Sequence, residues 1–362
     1  MNNYQLNVGS DLKIKSLEKT HKHFLNKSAI LFGASGSGKS TILIEILYLL
    51  SPYVPIIFVF SPTAEDNNAF EGIVPNCLIF KTVDLKQLEA IYMRQKAATK
   101  IYNTVNNIDS LRELFSKIAT HNDIECVKLA YINANKIIKR KELDLSLSVS
   151  EKKIAVKEIK SIRDIYLISV YKSVIHSNKK RLKRLDLTDS EKYIIIYLYF
   201  NPNCVVVFDD CGAELKRFQK EVVYKQIMYQ GRHSYINSIL TLQDDTGLDS
   251  GVKKNAFVNI FTTAQCAMAY FEKKSSSFTK KDKIVASRII SYIYAEEPIK
   301  TYRKFVYLRD DPNPFRFTIA DTYENFKFGC KKLWELCNKV EGTHNVCDFS
   351  SDPLMEAFKI DI

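Results

Sequence analysis

The stretch Gly33-Ala-Ser-Gly-Ser-Gly-Lys-Ser40 constrains the fold more tightly than any other part of this 362-residue chain. It follows the apolar run Ala29–Phe32 and leads into the helical pattern Thr41–Leu50. Glycines at this spacing let successive backbone N–H groups curl around an anion, and a helix starting there aims its positive end at the same point. Lys39 can then reach the β- and γ-phosphates of a nucleotide, while the Ser40 hydroxyl can ligate Mg²⁺. The pattern predicts a nucleoside-triphosphate site with Mg²⁺, formed by Gly33, Ala34, Ser35, Gly36, Ser37, Gly38, Lys39, Ser40 and Thr41.

Breaker residues divide the rest of the chain. No glycine occurs between Gly72 and Gly212, and no proline between Pro75 and Pro202. A stretch without either is predicted to be mostly helical. Inside it, Asp109 precedes the helically spaced Leu111, Leu114, Phe115 and Ile118. Ser148–Glu151 and Thr188–Glu191 have the form of capping boxes, and Asn201-Pro202 is expected to close the last helix. On either side lie short runs rich in β-branched and aromatic residues: Ile56–Phe60, Val205–Phe208, Asn237–Leu242 and Phe257–Thr263. Unbroken apolar runs of this length suit central strands covered on both faces. Lys304–Leu308 and Phe315–Ala320 flank Asp310-Asp-Pro-Asn-Pro314 and read as a hairpin. The expected fold is α/β: a P-loop NTPase with a RecA-like, mostly parallel sheet, a large helical insertion and a C-terminal β-hairpin. The expected segments are 1–83 and 202–322 for the nucleotide core, 84–201 for the insertion and 323–362 for a tail.

A phosphate loop needs an acidic residue at the end of a neighbouring buried strand. Cys204-Val-Val-Val-Phe-Asp-Asp210 supplies two. Asp209 is expected to hold the Mg²⁺ shell and Asp210 to orient or deprotonate the attacking water, although paired Asp residues can also cap the following segment. Gln243 ends the run 236–242, at the strand terminus that lines the ligand crevice in an open parallel sheet. There it can orient water, or simply terminate the strand. Arg232, at the other end of that run, is a candidate charge-stabilising finger for a neighbouring subunit's nucleotide, or a surface salt-bridge partner. No N-K-x-D guanine signature is present, which favours ATP over GTP.

Together, the Gly33–Ser40 loop, the strand into Asp209-Asp210, and Gly231-Arg-His with Gln243 closely resemble the DNA-packaging ATPases of large eukaryotic DNA viruses. Those are the poxvirus-type members of the FtsK/HerA superfamily of P-loop NTPases. The resemblance covers residues 27–83 and 202–322. It implies catalytic roles for Lys39, Asp210 and Gln243, with Ser40 and Asp209 at the metal; Arg232 is the candidate catalytic arginine. It also implies an arginine finger supplied between subunits, a homo-oligomeric ring (commonly a hexamer), and ATP-driven translocation of double-stranded DNA. The expected partners are then the DNA, further copies of the chain and a capsid or portal-type component, in the virion or at a cytoplasmic or nuclear assembly site. The superfamily often has Glu as its second acid, where this chain has Asp210. Alternative readings of the same residues are a cellular or plasmid DNA pump, a helicase-like ATPase, or a nucleotide-dependent assembly protein.

Charge fits a polyanionic partner, since 53 Lys and Arg against 41 Asp and Glu leave a formal +12. The densest run, Lys179, Lys180, Arg181, Lys183 and Arg184, lies in the helical insertion. It can track DNA phosphates, or form a solvated helix face or a nuclear-import signal. A second cluster, Lys136, Lys139, Arg140 and Lys141, also lies in the insertion, and Lys273, Lys274, Lys280, Lys281 and Lys283 surround a serine-rich stretch that reads as a flexible loop. At 46% hydrophobic residues the chain can build a sizeable core. No apolar run approaches the roughly 18 residues of a membrane span, and eight scattered cysteines suit a reducing, intracellular compartment. Cys330, Cys337, His344 and Cys347 match no common zinc spacing.

Overall fold

A computed structural model describes residues 4–64, 68–243, 248–273, 278–295 and 302–341. The described residues divide into two compact units, one within 1–98 and 202–361 and one within 99–201. The helical unit begins at Thr99, partway along the helix Leu85–Val105, whereas the sequence placed the start of the insertion at 84.

The first unit holds a ten-stranded sheet. Its strands are β1 (Gln5–Val8), β2 (Leu12–Ser16), β3 (Ala29–Phe32), β4 (Ile56–Phe60), β5 (Ile79–Phe80), β6 (Cys204–Asp209), β7 (Ile236–Leu242), β8 (Val258–Phe261), β9 (Arg303–Leu308) and β10 (Phe315–Ile319). Their order across the sheet is β1-β2-β10-β9-β8-β3-β7-β6-β4-β5. From β8 to β5 all pairings are parallel. Every residue of β3, β4, β6, β7 and β8 is buried, which explains why β3, β4 and residues 204–208 of β6 read as apolar runs without alternation, while β7 and β8 also bury Asn237, Ser238, Thr241 and Asn259. The mostly parallel α/β sheet is the expected class, with two differences of detail. The acid strand β6 does not border the loop strand β3, because β7 lies between them. The β9–β10 hairpin pairs antiparallel with β8 and so extends the same sheet. An N-terminal hairpin, β1–β2, joins it through a parallel pairing of β10 with β2. Its short strands alternate exposed and buried positions, leaving little apolar signal to read.

The second unit packs helices Ile108–Ser116, His121–Leu143, Val149–Ser177 and Asp189–Ile196 around Leu111, Phe115, Leu167, Tyr171, Ile175 and Ile194. Ser148 and Thr188 do form capping boxes with Glu151 and Glu191. The cap of the first of these helices is Asn107, not Asp109: Asn107 Oδ1 accepts from the N–H groups of Asp109 and Ser110 at 3.1 and 3.0 Å. An Asx side chain two residues upstream reaches those donors, which leaves Asp109 to the first turn. The last helix stops at Ile196, before Asn201-Pro202, where Tyr197 caps it through its N–H to Tyr193. Lys280, Lys281 and Lys283 belong to a helix, Lys280–Tyr294, rather than a loop, because Thr279 and Asp282 cap it reciprocally. Lys274 and Ser275–Ser277 lie outside the described residues, as do His344, Cys347 and the rest of the tail beyond 341. Among the described residues, no helix is long and apolar enough to cross a membrane.

Candidate phosphate-binding site

Strand β3 ends at Phe32, and the chain turns into the loop with Gly33 N–H still bonded to Leu242 O of β7 at 3.0 Å. At Gly33 no side chain fits, since a Cβ would stand 1.6 Å from Thr262 Oγ1. Gly36 and Gly38 have φ of 72° and 89°, left-handed conformations that glycine adopts without strain. Gly38 is also the N-cap of the helix Lys39–Leu50, and no side chain bonds its first turn. Its leading N–H groups therefore face the loop without a capping oxygen, the arrangement that receives an anion.

Two side chains hold the loop. Lys39 is buried and donates to Gly33 O at 2.7 Å and Ala34 O at 3.0 Å. Ser37 Oγ donates to Ala34 O at 2.6 Å and lies 2.5 Å from Thr262 Oγ1. Ser40 is exposed and Thr41 half-buried at the start of the helix.

The acid pair stands at the same edge of the sheet. Asp209 Oδ1 accepts from Thr241 Oγ1 at 2.6 Å, and Oδ2 accepts from Ser61 Oγ at 3.0 Å. Burial pushes the Asp209 carboxyl above its ordinary range, and the Asp210 charge adds to this, while the two hydroxyls and the Lys39 ammonium act against it. Asp210 has φ of 52°, its N–H donates to Thr241 Oγ1 at 3.0 Å, and its Oδ1 is buried without a hydrogen-bond partner. A left-handed aspartate with an unsatisfied oxygen is strain of the kind that collects at sites of chemistry. Gln243 sits exposed just past the end of β7, where its backbone carbonyl accepts from Cys266 Sγ at 3.5 Å.

Thus Gly33–Thr41, Asp209, Asp210 and Gln243 meet at the carboxyl ends of the parallel strands. Arg232 does not join them. It lies exposed in the turn Gly231–Ser234 that precedes β7, with its guanidinium 5.6 Å from the Phe257 ring centre. Seven residues of β7 put it about 23 Å from the loop of its own chain at roughly 3.3 Å per residue. The run Lys179, Lys180, Arg181, Lys183 and Arg184 belongs to the other unit. Leu182 anchors it in that unit's core, and none of its five cations forms an ion pair among the described residues. Cys337 is buried in the helix Lys331–Glu341, and the described residues contain no metal-binding cluster of His, Cys, Asp and Glu.

Three hydroxyls at the crevice had no place in the sequence reading: Ser61, Thr241 and Thr262. A signal existed, because each sits at the carboxyl end of an apolar strand, the edge that lines the ligand crevice of an open parallel sheet. Lys304 carries no such local signal, because its place at this edge depends on the pairing of β9 with β8.

The chain is similar to the protein described as "Uncharacterized protein B354L" of African swine fever virus, 32% identical over 370 residues that cover 98% of this chain and 99% of that one. A shorter likeness, 35% over 68 residues, links 19% of the chain to protein 088R of Invertebrate iridescent virus 3. No protein-family model matches. Similar solved structures include the DNA-packaging ATPase B204 of Sulfolobus Turreted Icosahedral Virus, at 10% identity and TM-score 0.36 over 83% of this chain and 100% of that one. The conjugation coupling protein TcpA of pCW3 aligns at 15% identity and TM-score 0.34 over 88% of this chain and 66% of that one. At such scores the likeness does not bear on function.

Proposed function

Because this chain belongs to the family of the African swine fever virus protein B354L, we propose that it is a viral ATPase that moves double-stranded DNA, packaging a genome into a capsid. The observation that carries the catalytic half is the Thr241 hydroxyl. It holds Asp209 and Asp210 together at the strand edge where the Gly33–Ser40 loop opens.

The residues fit Mg²⁺-ATP. Asp209 receives only hydroxyl donors, so its oxygens keep lone pairs for a hard cation, and the buried Asp210 Oδ1 lacks any donor. Ser40 and Asp209 would hold the metal, which neutralises charge on the β- and γ-phosphates. The Lys39 ammonium, now on two loop carbonyls, is placed to exchange them for phosphate oxygens. Asp210 takes the proton of the attacking water, and Gln243 orients that water from the end of β7. Arg232 cannot reach its own nucleotide, so it serves a neighbouring copy's, which makes the working form a homo-oligomeric ring.

The unpaired cations of 179–184 supply a DNA-tracking surface whose contacts release counterions and weaken with salt. A capsid or portal-type component and a viral assembly site complete the reading. Displacement of a triplex-forming strand from linear duplex DNA tests it. ATP-dependent displacement is expected, together with its loss when Lys179, Lys180, Arg181, Lys183 and Arg184 are replaced by Gln. Hydrolysis without displacement would point to a nucleotide-dependent assembly protein instead.

A further inference from the structure

Strand β9 runs antiparallel to β8, with Phe305 opposite Phe261. In that register Lys304 falls opposite Thr262, at the carboxyl ends of the parallel strands. An antiparallel strand brings its amino end to the edge where its parallel neighbours bring their carboxyl ends, so β9 presents its first side chains to the crevice. Lys304 Cε lies 3.9 Å from the place a Cβ would occupy on Gly38, the last glycine before Lys39.

The surroundings of this lysine leave it underused. It is half-buried, yet its Nζ makes one long bond, to Thr262 O at 3.4 Å. No carboxylate pairs with it among the described residues. Burial pushes its ammonium below the ordinary lysine range, with no opposing charge to offset the loss of water. An ammonium carries three donors, and desolvation of an unpaired charge is costly unless an anion arrives. The Gly38 turn beside it is where the helix Lys39–Leu50 opens its free N–H groups.

We propose that Lys304 is a second cationic ligand of the nucleotide's phosphates, reaching them over Gly38 while Lys39 holds them from within the loop. This rests on the reading of Gly33–Ser40 as a nucleotide site. Lys39 then has a partner from a distant part of the chain, and binding phosphate ties the hairpin β9–β10 to the loop.

The test is equilibrium binding of a fluorescent ATP analogue with Mg²⁺ to the full-length protein and to its Lys304→Met and Lys304→Arg variants. Thermal unfolding without nucleotide is recorded for each. Met keeps the apolar stem and removes the charge, so its binding is expected to weaken by about tenfold or more, while Arg stays within about threefold. Should Lys304→Met unfold early, Lys304→Gln replaces it as the neutral variant. Wild-type affinity in a folded neutral variant overturns the proposal, and so does an Arg variant as weak as the neutral one. An unsubstituted protein that binds no nucleotide overturns the nucleotide reading as well, which separates the two failures.

Discussion

The Thr241 hydroxyl donates to Asp209 Oδ1 at 2.6 Å and accepts from the Asp210 N–H at 3.0 Å. One side chain of β7 therefore sets the geometry of both acids at the end of β6. Thr241→Val keeps the volume and deletes both bonds. Hydrolysis is expected to fall about 10- to 100-fold, as when a supporting hydrogen bond to a metal ligand is removed. Unfolding free energy should drop by about 1–3 kcal/mol, the cost of leaving a buried polar group unpaired. Steady-state ATPase rates and urea unfolding measure the two, and an unchanged rate removes Thr241 from the site.

Asp209 carries a cost of its own. Burial raises its carboxyl above the unfolded value, so the folded state favours the protonated form. That stabilisation is present at low pH and lost as pH rises through the folded value. At neutral pH the ionised group opposes folding, and Asp209→Asn should raise the melting temperature of the nucleotide-free protein. The gap between variant and wild type should narrow as pH is lowered. Melting curves across pH decide this, and a destabilised variant at pH 7 would contradict it.

At Gly33 the test is steric. A methyl group would meet Thr262 Oγ1 at 1.6 Å and Ser37 Oγ at 2.7 Å. Gly33→Ala should lose about 1–3 kcal/mol of stability, as overpacked sites do, and weaken nucleotide binding. Thr262→Ala removes the nearest clashing atom, so the double variant should recover about 1 kcal/mol or more beyond additivity. Strict additivity in a double-mutant cycle would show that the two residues do not share that space.

Arg232 and Lys39 lie at opposite ends of the parallel strands, so a finger role for Arg232 requires the nucleotide of a neighbouring copy. Arg232→Ala protein and Lys39→Ala protein should each be inactive alone. Mixed, they should regain a fraction of wild-type hydrolysis, because some interfaces then pair an intact finger with an intact loop. No recovery in a co-assembled mixture would remove Arg232 from the neighbour's site.

The parallel core was legible because its strands are buried on both faces: Ala29–Phe32, Ile56–Phe60 and, within β6, residues 204–208 each show an unbroken apolar run. The loop was legible because Gly36 and Gly38 need positive φ and Lys39 must follow at once. Strands β1 and β2 escaped notice since half their positions face solvent. The position of β7 between β3 and β6 is a long-range pairing that no local pattern encodes. Lys304 escaped for the same reason, as its place at the crevice depends on the antiparallel register of β9 with β8. The helix Ile108–Ser116 starts before Asp109, because Asn107, a good capping residue, stands two positions earlier.

ATP hydrolysis with and without duplex DNA, with oligomeric state measured in the same samples, tests the central claim most directly. The account predicts Mg²⁺-dependent turnover in a multi-subunit assembly, raised by duplex DNA. It also predicts that Asp210→Asn, which a left-handed backbone tolerates, retains nucleotide while losing about 100-fold or more in rate. An assembled, nucleotide-bound protein that does not hydrolyse ATP in the presence of duplex DNA, or an Asp210→Asn variant that turns over as wild type, would contradict it.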